Sequence, residues 1–121
     1  MVEIRAFAAR ERLVMVFKGQ LKEEELERAE QELREALPRL APAFDMVSDV
    51  SAAETLSPAA VERIRRMGQL IVDAGLRTHV RVVGRSGQAA LQFQRISRVV
   101  GYDSRLAYSL TEAEDLLDTS P

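Results

Sequence analysis

The chain reads as an α/β domain: a single mixed, mostly parallel five-stranded sheet with four helices, in the order β-β-α-β-α-β-α-β-α. Three observations predict it. Strand-length apolar runs alternate with stretches of helical period from Leu21 onward, and such alternation implies parallel strands joined by right-handed crossovers. Two strand-like runs near the N-terminus are joined only by Ala9, Arg10 and Glu11, which suits a hairpin and is too short for a crossover. Helix-ending residues fall where the periodic stretches stop, at Pro38, Gly75 and Gly101.

The first strand, Val2 to Ala8, alternates with Val2, Ile4 and Ala6 on one face. The second, Leu13 to Phe17, is apolar throughout, as a strand covered on both faces should be. A helix is expected from about Lys22 to Leu37, with Leu26, Ala29, Leu33 and Leu37 on its buried side. Glu23, Glu24 and Glu25 favour the positive end of its dipole, and Glu24–Arg28, Glu30–Arg34 and Glu35–Arg39 are spaced for ion pairs. Phe44 to Val50 is the third strand, ending in polar Ser48, Asp49 and Ser51.

Ala52 to Leu56 reads as a loop. Ser57 and Pro58 then open the second helix as N-cap and first helical residue. Val61, Ile64, Gly68 and Ile71 form its stripe, and Gly68 is expected to permit close approach to the sheet. Thr78 to Val83 is the fourth strand. A loop at Gly84–Gly87 leads to a third helix with Ala89, Phe93, Ile96 and Val100 buried. Ser104 to Leu110 is the fifth strand, with Leu106, Tyr108 and Leu110 predicted inward. Thr111 to Glu114 matches a capping box for a last short helix. A single domain spans 1–118, and 119–121 form a frayed tail.

Composition excludes several function classes. The 121 residues include no cysteine, which removes disulfide, zinc-knuckle and thiol chemistry. No apolar run approaches the ~20 residues that cross a bilayer, and the N-terminal residues lack the layout of a signal peptide. The expectation is a cytoplasmic protein without membrane insertion. A net charge of −2 gives no global attraction to nucleic acid, and aromatic stacking residues are few. Charge is nevertheless uneven. Leu21 to Leu37 holds seven glutamates against three cations, whereas Val61 to Arg98 holds eight arginines against two carboxylates. That asymmetry suits association with a protein partner or a second copy, and a homodimer is a possible outcome.

The residues that could carry chemistry form no catalytic constellation. Asp45 and Asp49 are about 13 Å apart by strand rise, too far for a shared acid/base pair. His79, the only histidine, has no partner at a telling spacing and reads as a strand-surface residue. Asp49 and Ser51 lie where open α/β sheets place ligands, and Arg85 and Ser86 in the next loop could help cradle an anion. The plain alternative is Ser86 as a helix cap beside turn glycines. No cofactor or metal is expected, and the chain is read as no enzyme.

At Asp49-Val-Ser51, followed by Leu56 and Ser57-Pro58, the chain resembles the STAS domain, the fold of bacterial anti-sigma-factor antagonists. The family pattern is an apolar strand ending in Asp-Leu-Ser, then Asp-Ser-Ser-Gly opening a helix. Asp49, Val50 and Ser51 match the first part, and the element order matches over nearly the whole chain. The family's phosphorylatable serine falls by spacing at Ala59, its preceding Asp at Ser57 and its Gly at about Ala60. The resemblance therefore implies a non-enzymatic regulatory interaction module without the phosphoswitch. Its partner surface would include Asp49, Ser51, Ser57, Arg63 and Arg66, with Arg85 and Ser86 nearby. The alternative is a nucleotide- or lipid-binding domain using the ends of the third and fourth strands.

Overall fold

A computed structural model describes residues 1–84 and 87–119. Its strands are β1 (Val2–Phe7), β2 (Arg12–Gly19), β3 (Phe44–Ala53), β4 (Leu76–Val82) and β5 (Arg105–Ala107). Its helices are α1 (Glu23–Ala36), α2 (Pro58–Asp73), α3 (Gly87–Val100) and α4 (Leu110–Asp118), with 3-10 turns at Ala8–Arg10 and Leu37–Arg39. The strands form one sheet in the order β1-β2-β3-β4-β5. β1 pairs antiparallel with β2, and the other neighbours run parallel. This is the mixed, mostly parallel α/β sheet that the alternation of elements predicts.

The topology decides where the helices lie. Each crossover steps the same way across the sheet, so right-handed connections put α1, α2 and α3 on one face. There Leu26, Leu33, Ile64, Met67, Ile71, Phe93 and Ile96 pack on Leu13, Met15, Phe17, Phe44, Met46 and Val50. α4 covers part of the other face, where Ala113 and Leu117 pack on Val47, Val80, Val82 and Ala107. Arg12, only 4% exposed, anchors α4 by donating to Glu114 and, at 2.9 Å, to Asp118. Burial lowers its pKa, but these two carboxylates outweigh that and hold it above the ordinary value.

Helix boundaries follow their local chemistry. Ser57 Oγ accepts from Ala60 N at 3.1 Å and Pro58 is the first residue of α2. Gly75, at φ +108°, ends that helix in the left-handed region, as expected. Gly68 departs from expectation in its neighbour: an added Cβ would meet Val100 at 3.3 Å and Tyr102 at 3.8 Å, so the close approach is to the end of α3 and not to the sheet.

Three further expectations are corrected. β5 is three residues long, and its buried residue is Ala107, while Leu106, Tyr108 and Leu110 are exposed. Ala107 pairs with Val82 beneath α4, where a small side chain lets Ala113 approach. The cap of α4 lies two residues earlier than Thr111: Ser109 Oγ accepts from Glu112 N at 3.0 Å, and Glu112 Oε2 accepts from Tyr108 N at 3.1 Å. Glu114 is thereby free to reach Arg12. Of the ion pairs expected on α1, Glu30–Arg34 forms at 3.6 Å, whereas Arg28 approaches Glu32.

Candidate functional site

The sequence-predicted residues fall on a ridge at the C-terminal end of β3 and the start of α2. Asp49 Oδ1 accepts from Ser51 N at 3.0 Å and Ser51 Oγ at 2.6 Å, so the carboxylate closes on its own strand. The following loop is held from below. Gln92 of α3 accepts from Leu56 N at 2.8 Å and donates to Leu56 O at 3.0 Å, imitating a strand pairing. Thr55 Oγ1 donates to Gln88 Oε1 at 2.9 Å, and Glu54 N donates to Gly19 O at 3.0 Å. The Leu56 side chain is buried in the main core. Above these anchors, Ser51, Ala52, Glu54, Thr55, Ser57, Pro58 and Ala59 are exposed. Gly84 lies so close to β3 that an added Cβ would stand 2.6 Å from Ser51 O.

The remaining predicted residues are placed differently. Arg63 and Arg66 lie 3.7 and 3.9 Å from Glu30 Oε1 on α1. The opposite charges of the first two helices, which suggested self-association, therefore meet inside one chain. Arg63 is turned toward α1 and its side chain is only 18% exposed. Arg85 and Ser86 lie outside the described residues, as do Ser120 and Pro121 of the expected tail.

A second polar cluster was not legible in the sequence. His79 is not a surface residue: it is 3% exposed, on the face of β4 beneath the helices. Ser48 Oγ lies 2.6 Å from its Nε2, and Ser104 Oγ lies 2.6 Å from its Nδ1. Tyr102 meets the ring edge-on, with centroids 5.3 Å apart. Burial, with a smaller contribution from Arg81, pushes the His79 pKa down to about 3. The imidazole is thus neutral at ordinary pH and bridges two hydroxyls, donating to one and accepting from the other. Its conjugate acid is too strong for efficient general-base work near pH 7.

Arg81 lies one residue pair along the same face and is 2% exposed. Its Nη2 donates to Phe93 O at 3.3 Å, and its guanidinium interacts electrostatically with the nearby Tyr102 hydroxyl. Burial lowers the Arg81 pKa and raises that of Tyr102, each partly offset by the other. A cleft of about 310 Å³ opens beside Arg81 between α3, the segment after it and β5. The signals available in the sequence were Ser48, a hydroxyl in an apolar strand, and Arg81, a cation flanked by Val80 and Val82. Among the described residues no cluster of His, Asp and Glu has the makings of a metal centre, and no helix is long and apolar enough to cross a membrane.

No protein-family model matches the chain, and no curated protein is significantly similar to it in sequence. Solved structures are similar in fold. An uncharacterized protein of the DUF3478 family from Shewanella loihica PV-4, with a SpoIIAA-like fold, superposes with a TM-score of 0.74 at 16% identity. That match covers 96% of this chain and 93% of the other. The anti-sigma factor antagonist SpoIIAA in its unphosphorylated form gives 0.64 at 14% identity, covering 99% and 100%. The phosphorylated form of SpoIIAA, a Bacillus cell fate determinant, gives 0.60 at 15%, covering 97% and 99%. Over essentially its whole described length, then, this chain has the SpoIIAA-like fold, a mixed, mostly parallel α/β sheet with four helices.

Proposed function

We propose that the chain is a non-catalytic protein-interaction module of bacterial regulation, acting in the cytoplasm. Its docking surface is the ridge from Asp49 through Ser57 to the first turn of α2. The observation that carries this reading is the anchoring of Leu56 by Gln92 beneath an exposed run of small and polar residues. A surface held rigid before association loses less conformational freedom on binding. The fold likeness to an anti-sigma factor antagonist supports a partner protein as the ligand class. Ala59, at the position of the family's phosphorylatable serine by spacing, is exposed in the first turn of α2 and carries no hydroxyl. Ser57 uses its oxygen as the helix cap. Docking in this chain would then be constitutive and not switched by phosphate on that serine.

The test is site-specific photo-crosslinking in the native host. A photoreactive residue at Ala59 should trap a defined protein, while the same residue at exposed Arg5 on β1 should not. Equal trapping at both positions, or none at Ala59, would overturn the assignment of the surface.

A further inference from the structure

Among the described residues the two most deeply buried arginines are treated differently. Arg12, on the α4 face, meets the carboxylates of Glu114 and Asp118. Arg81, on the opposite face, contacts the Phe93 carbonyl and the Tyr102 hydroxyl, and among the described residues no carboxylate pairs with it. Both leave Nε without a partner, and the contrast lies in charge. An internal cavity of about 30 Å³ touches Arg81, and a water of that size would satisfy a donor without neutralising the guanidinium. A buried cation without a counter-charge is costly to fold around. Arginine is also the side chain best matched to carboxylate and phosphate oxygens.

We propose that the cleft floored by Arg81 is a binding site for a small oxyanion, a phosphate or carboxylate group. Exposed Arg98 adds a second cation at the rim, and Tyr102 and Ser104 supply hydroxyls to the lining. Asp103 also lines the cleft but is exposed, where water and salt screen its charge far more than that of Arg81. An anion against the floor would supply the counter-charge that Arg12 finds in α4. Volume limits the ligand: about 310 Å³ in the cleft admits a phosphate or a short organic acid, whereas the 30 Å³ cavity behind it admits no acyl chain. Ser104 also touches His79, so occupancy would be felt in the buried Ser48–His79–Ser104 row. The site is independent of the docking ridge, since it lies against a different side of α3.

Titration of the isotope-labelled full chain by NMR tests this, following the Arg81 Nε–Hε resonance and the amides of Ser97, Tyr102 and Ser104. Sodium phosphate and sodium acetate are the probes, with sodium chloride at matched ionic strength as control. Saturable shifts with phosphate, acetate or both, and none with chloride, are expected, and which probe saturates identifies the oxyanion. Arg81→Met should weaken binding on the order of tenfold or more, and Arg98→Gln, an exposed change that leaves the core intact, by about threefold. Shifts equal to those in chloride, no saturation with either probe, or full affinity in both variants would overturn the site. If Arg81→Met does not fold, Arg98→Gln and the chloride control decide the matter.

Discussion

Ser48 Oγ and His79 Nε2 stand 2.6 Å apart on neighbouring strands beneath the helices, with the histidine almost wholly buried. Because the His79 pKa falls from about 6.5 to about 3 on folding, only the unfolded chain takes up its proton as pH drops below 6.5. Its contribution is complete above that value and is lost progressively toward 3, by about 1.4 kcal/mol per pH unit. Urea denaturation at pH 7 and pH 5 should show the parent losing on the order of 2 kcal/mol. His79→Gln should show a much shallower dependence. Glu25 and Glu62, whose carboxyls are held below the usual range by the N-terminal ammonium and by Arg65 respectively, keep their contribution down to the ordinary glutamate value of 4.5 and so add little between pH 7 and pH 5. An unchanged slope in His79→Gln would remove the histidine from the explanation.

Gln92 replaces a strand partner for Leu56. Gln92→Ala removes both hydrogen bonds and should destabilise the fold by about 1–2 kcal/mol. Amide exchange reads the local effect: Leu56 N–H should lose protection in the variant more than residues in β2 do. Uniform loss across the chain would mean that the loop is not a separately anchored surface.

Ser57→Ala removes the acceptor for Ala60 N and should cost about 1 kcal/mol in chemical denaturation. Ser57→Asp should restore most of it, since a carboxylate can both cap the helix and meet its dipole. Equal stability of all three chains would deny the capping role.

Gly84→Ala places a Cβ against the Ser51 carbonyl at 2.6 Å. The backbones of the β3 end and the β4–α3 segment must part, which should cost about 1–3 kcal/mol. Shifted Ser51 and Ala52 amide resonances would report the displacement; a variant as stable as the parent, with those resonances unmoved, would contradict the contact.

Arg81→Met exchanges a buried cation for an apolar side chain of similar length. In buffer without phosphate or carboxylates it should be as stable as the parent or more so, by about 1–3 kcal/mol. A large loss in thermal denaturation would show that the guanidinium is already balanced within the fold.

The parts legible in the sequence were those decided locally. Ser57-Pro58, Gly75 and the alternation of runs set helix ends and strand order, because caps, left-handed residues and periodicity act over a few residues. What failed depended on distant partners. Leu106, Tyr108 and Leu110 share a period that suits a buried strand face, but α4 packs over the intervening Ala107. His79 and Arg81 look like surface residues until β3 brings Ser48 alongside and the segment after α3 brings Tyr102 and Ser104. Arg63 and Arg66 looked free to meet a partner until α1 placed Glu30 beside them.

The ridge from Asp49 to the first turn of α2 is the proposed docking surface. Once crosslinking supplies its partner, titration calorimetry of that protein against the parent, Ala59→Glu and Arg5→Ala tests it most directly. A glutamate in the first turn favours the helix dipole, so Ala59→Glu should fold normally. It should nevertheless weaken binding on the order of tenfold, with Arg5→Ala binding like the parent. Equal affinity for all three chains would contradict the assignment of the ridge as the docking surface.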